Sequence, residues 1–562
     1  MFVADHGSYW FVGAEHNTSA YNGLGFLDLS SYQLHKVLFD VRCQAATPSE
    51  VIVRPGQSTR VSDTGVEQFF FRDRLACYSF EGAGKVDFFL DVRDTNDFGA
   101  FSRSHTVDVL SSDPWVVRVR GADGAAFVFV CSQQCVLLSE WRAHPTEYDR
   151  ARSHRPEWFS ELFMRSEGSV RVVIAPESRL FEAKQVLKSA WDASEAVWDD
   201  NVEYAVAKAS VESLLTKTPT GSAGILAGLP WFFQIYTRDE AIAAGALIAT
   251  SQHLFAAKIL LREISVILPD GRIPNRFPHS DVGSADGVGW AFLRLHQIFS
   301  SRAKTLSLEQ WKFVFAQLKV SLSRLAPGCF GVLIQSAAQE TWMDTTGGVG
   351  DTREGSRIEI QALTLRMLRF ASELAQFFDE PERFAAQEDQ LRSFVHSHLF
   401  DGTHLFDGCQ GEVADTTARP NALLCRYIYP WLLSDEEWCR VADSLLSRLA
   451  TDWGGLRTID PSHTLFVDTH TGEDDRSYHR GDVWFFLNNL IATGLVDLDP
   501  RYRPFAQHVY DASRKDLLAM GAAGHSSEIS SARAQEALGC WCQAWSASSF
   551  VELALALDRT KG

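Results

Sequence analysis

The sequence predicts a multidomain protein in which an N-terminal antiparallel β-sandwich precedes an all-α ring of paired helices. Three observations lead there. The chain has 562 residues, too many for one ordinary domain. From about residue 35 to 175 its apolar residues recur with a period of two, whereas after Pro176 the period is that of a helix through to the C-terminus. The helical segments are also joined by connections that alternate between long and short. The expected division is therefore 1–178 for the sandwich and 179–562 for the helical domain.

In the first part, Glu67–Phe71, Lys85–Val92, Trp115–Arg120, Ala126–Val130 and Ser169–Ile174 read as strands, and Asp123-Gly124 between the third and fourth is a hairpin signal. In the second, Leu308, Trp311, Phe315, Leu318 and Leu322 share one helical face. Ser307 with Gln310 and Ser434 with Glu437 are capping boxes that open two helices. The pattern gives twelve helices: 180–217, 238–250, 252–268, 284–302, 307–326, 355–378, 380–399, 420–432, 434–451, 477–494, 501–519 and 539–558. Connections after the odd-numbered helices are long (218–237, 269–283, 327–354, 400–419, 452–476 and 520–538), and those after the even-numbered ones are short. Since short connections require antiparallel neighbours, all six long loops emerge at one end, and a closed ring of hairpins with a central pit is expected.

Composition narrows the function. A net charge of −18, with no basic cluster on a helix face, excludes nucleic acid and anionic membrane as natural partners. A neutral substrate fits better, and 16 Trp with 38 Phe supply flat apolar faces for sugar rings as well as core. The N-terminus lacks a basic stretch followed by an apolar one, and no apolar run is long enough to span a membrane, so a cytoplasmic protein is expected. Ten cysteines are sparse for this length, and neither Cys131/Cys135 nor Cys540/Cys542 has a second pair at zinc-site spacing; they read as reduced thiols.

The long loops carry the chemistry. The first holds Trp231 and leads into Arg238-Asp239, an adjacent charged pair at a helix start that can hold neighbouring hydroxyls. The second runs through Ile273-Pro274-Asn275-Arg276-Phe277-Pro278 to Asp286. The third carries Thr341-Trp342-Met343-Asp344, then glycines, then Glu359. An Asp beside a Trp suits a proton donor, because an apolar neighbour raises a carboxyl pKa; a solvated loop Asp is the plainer alternative. The fourth ends in Arg419-Pro420-Asn421. The fifth ends in Tyr478-His479-Arg480-Gly481-Asp482-Val483-Trp484, where His479 either orients a substrate hydroxyl or is a structural histidine. The sixth places Glu528 between small residues that leave room for a water.

Taken in this order, Pro-Trp-Phe with Arg-Asp, Ile-Pro-Asn-Arg-Phe, Thr-Trp-Met-Asp, Glu-Ile-Gln-Ala-Leu, Arg-Pro-Asn, Gly-Leu-Arg-Thr, Tyr-His-x-Gly-x-Val-Trp, Ser-Glu-Ile and Gln-Ala-Trp-Ser resemble the amylo-α-1,6-glucosidase domain of glycogen-debranching enzymes over about residues 195–558. The resemblance implies an (α/α)6 barrel and inverting hydrolysis, with Asp344 as general acid and Glu528 as general base. It implies that Trp231, Arg238, Asp239, Asp286, Glu359, His479 and Trp484 hold glucose, and Trp342, beside the acid, is likewise expected to bind substrate. It also implies glycogen, limit dextrin or another branched α-glucan as partner, and no cofactor or metal. The chain departs from the family in Thr237, where glycine is usual, and in Gly13 to Gly25, a loose echo of the family's N-terminal glycine-rich stretch. It has no room for the glucanotransferase domain of the large bifunctional enzymes.

Asp344 and Glu528 lie on the third and sixth long loops, half a turn apart on a ring of six hairpins, which suits carboxyl groups acting on opposite faces of a sugar. Other readings of the same architecture are a glucoamylase- or trehalase-like α-glucosidase, a polysaccharide lyase or epimerase working through His479 and Tyr478, and a non-catalytic glucan-binding protein.

Overall fold

The computed structural model describes residues 2–559 except 4–6, 15–16, 45–46, 55, 96, 98–103, 153–154, 192–201, 278–282, 327–331 and 382. Part of the expected helix 180–217, Pro278 of the second loop motif and residues 15–16 of the N-terminal echo thus lie outside the described residues. The chain forms two compact units, chiefly Met1–Val202 and Glu203–Gly562, with Glu212–Pro219 and Ala522–Gly524 belonging to the first.

The first unit is a β-sandwich. One antiparallel sheet takes, in spatial order, Phe2–Val3, Tyr9–Phe11, Gly23–Asp28, Gln33–Cys43, Lys85–Asp94, Glu157–Glu167 and Val136–Pro145. The other takes His105–Ser112, Trp115–Gly121, Ala126–Cys131, Val170–Pro176, Leu75–Gly82, Gly65–Arg72, Gln57–Ser62 and Glu50–Arg54. All five expected strands are present, and Trp115–Gly121 pairs with Ala126–Cys131 through the expected turn, where Gly124 has φ +88°. Strand alternation explains the layering: Val117 and Val119 face the core between the sheets, while Val116, Val128, Val130 and Val173 face outwards and are covered by Ala183, Val186 and Leu187. Those last three belong to the helix Leu180–Lys188. That packing places the division of the chain at Val202/Glu203 instead of 178/179, and it splits the expected first helix, whose remainder is Val202–Ser213.

The second unit contains twelve helices among the described residues, arranged as six inner and six outer. The inner ones are Thr237–Ala249, Gly287–Ser300, Ile358–Phe377, Asn421–Ile428, Phe485–Val496 and Ala544–Arg559; each packs on the next and the last on the first. The outer ones are Val202–Ser213, His253–Ile264, Leu308–Leu325, Phe384–Leu399, Asp435–Leu449 and Arg503–Ala519. This is an (α/α)6 barrel. Every residue of Phe485–Val496 is buried, as a helix enclosed on all sides requires, whereas Asp435–Leu449 buries one stripe of Trp438, Val441, Ala442, Leu445 and Leu449. Both capping boxes form. Leu308 is the one exception on its expected face: as the first residue of its helix it is exposed.

What reads as six plain loops in the sequence is stitched by short antiparallel ladders. Gly228–Leu229 pairs with Cys542–Gln543, Ile235–Tyr236 with Arg276–Phe277, Ser356–Arg357 with Gly408–Gln410, and Val483–Trp484 with Ile529–Ser530. These pairs are too short for periodicity to register. No described helix is long and apolar enough to cross a membrane.

Inside the ring, fully buried Arg294 bonds Glu552 (2.8 Å) and Tyr427 (2.6 Å) and caps the carbonyls of Ala241 and Ile242. Gly245 admits this cluster, since a Cβ there would lie 2.1 Å from Glu552 Oε1 and 2.5 Å from an Arg294 nitrogen. Alanine gains about 1 kcal/mol over glycine in helix propensity, but overpacking costs about 1–3 kcal/mol. Gly245→Ala is therefore expected to lower stability, measured as a reduced denaturant midpoint.

Candidate active site

All six inner helices start at the same end of the barrel, where the long loops enter. Their first N–H groups and positive dipole ends converge on the pit, which favours acidic and polyhydroxyl groups there. Arg238 and Asp239 occupy the first turn of Thr237–Ala249, Asp286 immediately precedes Gly287–Ser300 without a side-chain capping bond, Glu359 is in the first turn of Ile358–Phe377, Trp484 precedes Phe485–Val496 and Gln543 precedes Ala544–Arg559.

On one side stands Asp344. Its carboxylate is 44% exposed and accepts a bond from Arg238 (3.3 Å), which is itself buried and anchored by Asp286 (2.8 Å). Gln339 donates to the Asp344 carbonyl (2.9 Å). Burial among the walls of the pit raises the Asp344 pKa; Arg238 opposes this and Asp286 adds to it. Exposure and desolvation are compatible because the carboxyl opens onto a pit while protein surrounds its other sides. Trp342, the aromatic neighbour that the sequence sets beside this acid, faces inward. It is buried, donates to Asn421 Oδ1 (2.9 Å), and meets His479 and Trp484 edge-on.

On the other side is Glu528, only 3% exposed. The Tyr478 hydroxyl donates to its Oε1 (2.6 Å) and the backbone N–H of Cys540 to its Oε2 (2.9 Å). Gly539 permits the approach, with φ +65° and no room for a Cβ, which would stand 2.4 Å from Glu528 Oε2. Tyr478 is pushed well above the ordinary phenol range, first by burial and then by the Glu528 and Asp344 charges. Asp239 accepts from Gln543 (3.2 Å) and is raised to about 8 by burial, with Arg238 opposing and Glu528 and Asp344 adding. Asp239 and Tyr478 thus each feel both carboxylates, so the third and sixth loops meet at one site.

The other expected residues are close by, each with its own partners. His479 is buried, stacks on Trp484 (5.0 Å between centroids, 11° apart) and bonds Thr345 Oγ1 through Nδ1 (2.9 Å). Burial and the neighbouring arginines hold its pKa well below the usual value, so it is neutral. Trp484 donates to the Tyr478 carbonyl (2.7 Å). Glu359 is fixed by both nitrogens of buried Arg353 (2.6 and 3.1 Å), which also bonds Asp407. Trp231 is half-buried against Trp541 (5.1 Å). Asp286 Oδ2, His479 Nε2, Gln543 Oε1 and Trp545 Nε1 are buried without a hydrogen-bond partner among the described residues. Sequence reasoning missed Gln543, Arg353, Cys540 and the Tyr478–Glu528 bond. Cys540 left no signal to find, since it acts through its backbone. Among the described residues no cluster of His, Cys, Asp or Glu is arranged to hold a metal.

A closed (α/α)6 ring with two carboxylates at its mouth defines the class, a glycoside hydrolase of the (α/α)6 type. A family model described as amylo-alpha-1,6-glucosidase matches residues 208–552, and the chain belongs to that family. Among solved structures, a bacterial glucoamylase complexed with acarbose is similar over 99% of this chain and 97% of its own, at 11% identity and a TM-score of 0.66. A GH63 mannosylglycerate hydrolase from Thermus thermophilus, in complex with Tris and D-glycerate, is similar over 64% of this chain and 100% of its own, at 14% identity and a TM-score of 0.48. No curated protein matches the sequence.

A carboxyl whose pKa rises on folding binds its proton more tightly in the native state, so its contribution to stability declines as pH rises from the unfolded value to the folded one. For Asp239 that window runs from 3.8 to about 8. Asp239→Asn is expected to gain thermal stability over the parent progressively across this window and no further above it. A difference in melting temperature that is flat from about pH 4 to pH 9 would show that Asp239 titrates as an ordinary carboxyl.

Proposed function

We propose that the protein is a glycogen-debranching α-1,6-glucosidase that releases glucose from branch points of glycogen or limit dextrin with inversion. The observation that carries this reading is the pair Asp344 and Glu528, brought to one pit from loops half a turn apart. Asp344, raised by desolvation and open to the mouth, protonates the glycosidic oxygen. Glu528, with Tyr478 and Cys540 donating to its oxygens, takes a proton from the water that attacks from the opposite face, giving β-glucose. Arg238, Asp239 and Asp286 hold the glucose hydroxyls, and the unpartnered polar atoms around the pit add further positions for them. The family and its motifs support the α-1,6 linkage in this reading.

A lyase or epimerase would need Tyr478 or His479 as a base against a carbon acid. A phenol held well above its ordinary pKa and donating to Glu528 does not suit that role. A glucoamylase-like α-glucosidase is the second reading, and the full-length fold similarity favours it.

Incubation with phosphorylase limit dextrin, isomaltose, maltose and trehalose should give free glucose from the first two; release from maltose in preference would favour the second reading. Asp344→Asn and Glu528→Gln are each expected to cut glucose release about 10²-fold or more with the fold intact. Proton NMR should show β-glucose first, and an α-anomer would overturn inversion. Loss of a hydrogen bond to a charged group costs about 1.5–3 kcal/mol, so Tyr478→Phe should lower kcat about 10- to 10²-fold while KM changes little. An unchanged kcat would mean that the Tyr478–Glu528 bond does not contribute.

A further inference from the structure

Outside the pit, on the rim of the same barrel end, lies a cavity of about 470 Å³, within the usual size range of small-molecule sites. It is lined by Asp270, Arg272, Gln335, Glu340, Glu354 and Gln410, with Leu325 and Ile334 as apolar wall, and it shares no lining residue with the Asp344–Glu528 site. Much of its charge is already compensated. Arg272 bonds Glu340 (2.5 Å) and the Gln335 carbonyl (3.1 Å), and Arg324 caps the carbonyls of Ile267 and Leu268. The Glu354 carboxylate and the Gln410 amide are exposed and make no hydrogen bond with any described residue. A carboxylate accepts from hydroxyls, and an amide both donates and accepts. With a small apolar wall, this set suits a neutral polyhydroxyl ligand better than an anion or a cation.

Its position relates it to the reaction. Glu340 forms part of the cavity wall and lies four residues before Asp344; its carbonyl accepts from Ala285 (2.8 Å), and Gln339 beside it holds the Asp344 carbonyl (2.9 Å). The cavity therefore adjoins the segment that presents the proton donor. The leaving oxygen, and the chain attached to it, is on the donor's side of the scissile bond. We propose that this cavity is a second glucan site, which holds part of the chain to which the branch is attached and which the enzyme retains while the branch glucose is cleaved. The proposal rests on the reading of Asp344 as proton donor.

Ala337 lines the cavity with an exposed side chain that makes no polar contact, so Ala337→Trp fills the site and Ala337→Ser keeps it open. Gln410→Ala removes a hydrogen-bonding group instead. Glucose release should be measured on limit dextrin and on isomaltose. Ala337→Trp is expected to lower kcat/KM about tenfold on limit dextrin, equivalent to about 1.4 kcal/mol, with isomaltose within about twofold of the parent. Gln410→Ala should show a smaller loss of the same kind, and Ala337→Ser should match the parent. Equal losses on both substrates, or none, would overturn the proposal. A separate arm is independent of turnover: calorimetric titration of maltopentaose into Asp344→Asn protein should show a binding event that disappears when Ala337→Trp is added. An unaltered isotherm counts against the cavity even if hydrolysis is as proposed. If the parent hydrolyses neither substrate, the functional reading fails while this titration still decides whether the cavity binds glucan.

Discussion

The structure of the second unit depends on ring closure. The helix Ala544–Arg559 lies against Thr237–Ala249, with Ser548 Oγ accepting from the Ala246 N–H (2.8 Å) and donating to the Ala243 carbonyl (2.9 Å). Because the inner helices alternate in sequence with outer ones, closing the ring forces all six inner N-termini to one end. That arrangement collects the long loops, the helix dipoles and the charged residues of the first turns at a single mouth. The short ladders between adjacent loops then fix loops that would otherwise be free, and pairing of Gly228–Leu229 with Cys542–Gln543 joins the first loop to the last.

Within the mouth, polar contacts follow the helices round the ring. Arg238 of the first inner helix takes Asp286 of the second and Asp344 of the third loop; Gln543 of the sixth takes Asp239 of the first; Tyr478 of the fifth loop takes Glu528 of the sixth. Acidic groups crowded in this way would repel one another, and the protein meets this in two ways. Arg238 neutralises the Asp286–Asp344 side, while Asp239, raised to about 8, keeps its proton at neutral pH.

The long periodic elements are legible in the sequence because burial repeats over many residues. Eleven of the twelve expected helices, both capping boxes and the order of the long loops follow from spacing alone. The expected first helix divides because Leu180–Lys188 and Val202–Ser213 share a period but pack in different units, and periodicity reports a buried face without saying against what. Residue type likewise marks acids and aromatics near the mouth but not their orientation. Trp342 and Glu359 are turned to Asn421 and Arg353, partners that residue type alone does not announce. The Cys540 N–H has no side-chain signature, and the Tyr478 hydroxyl acquires its partner only when the fifth and sixth loops are folded together.

The two carboxylates differ in surroundings, and the difference accounts for the division of labour proposed for them. Asp344 faces the opening, where a leaving chain must exit, and its environment makes the proton harder to lose. Glu528 is almost enclosed and receives two donors, one from a phenol and one from the backbone, which address an acceptor carboxylate. An enclosed base suits an attacking water, a small reactant that needs orienting more than it needs space. A donor at the rim suits a polymer, whose bulk cannot enter the pit. Exchanging the two roles would put the bulky reactant at the closed wall and the water at the open one, so the geometry of access and the electrostatics of Asp344 both support the proposed assignment.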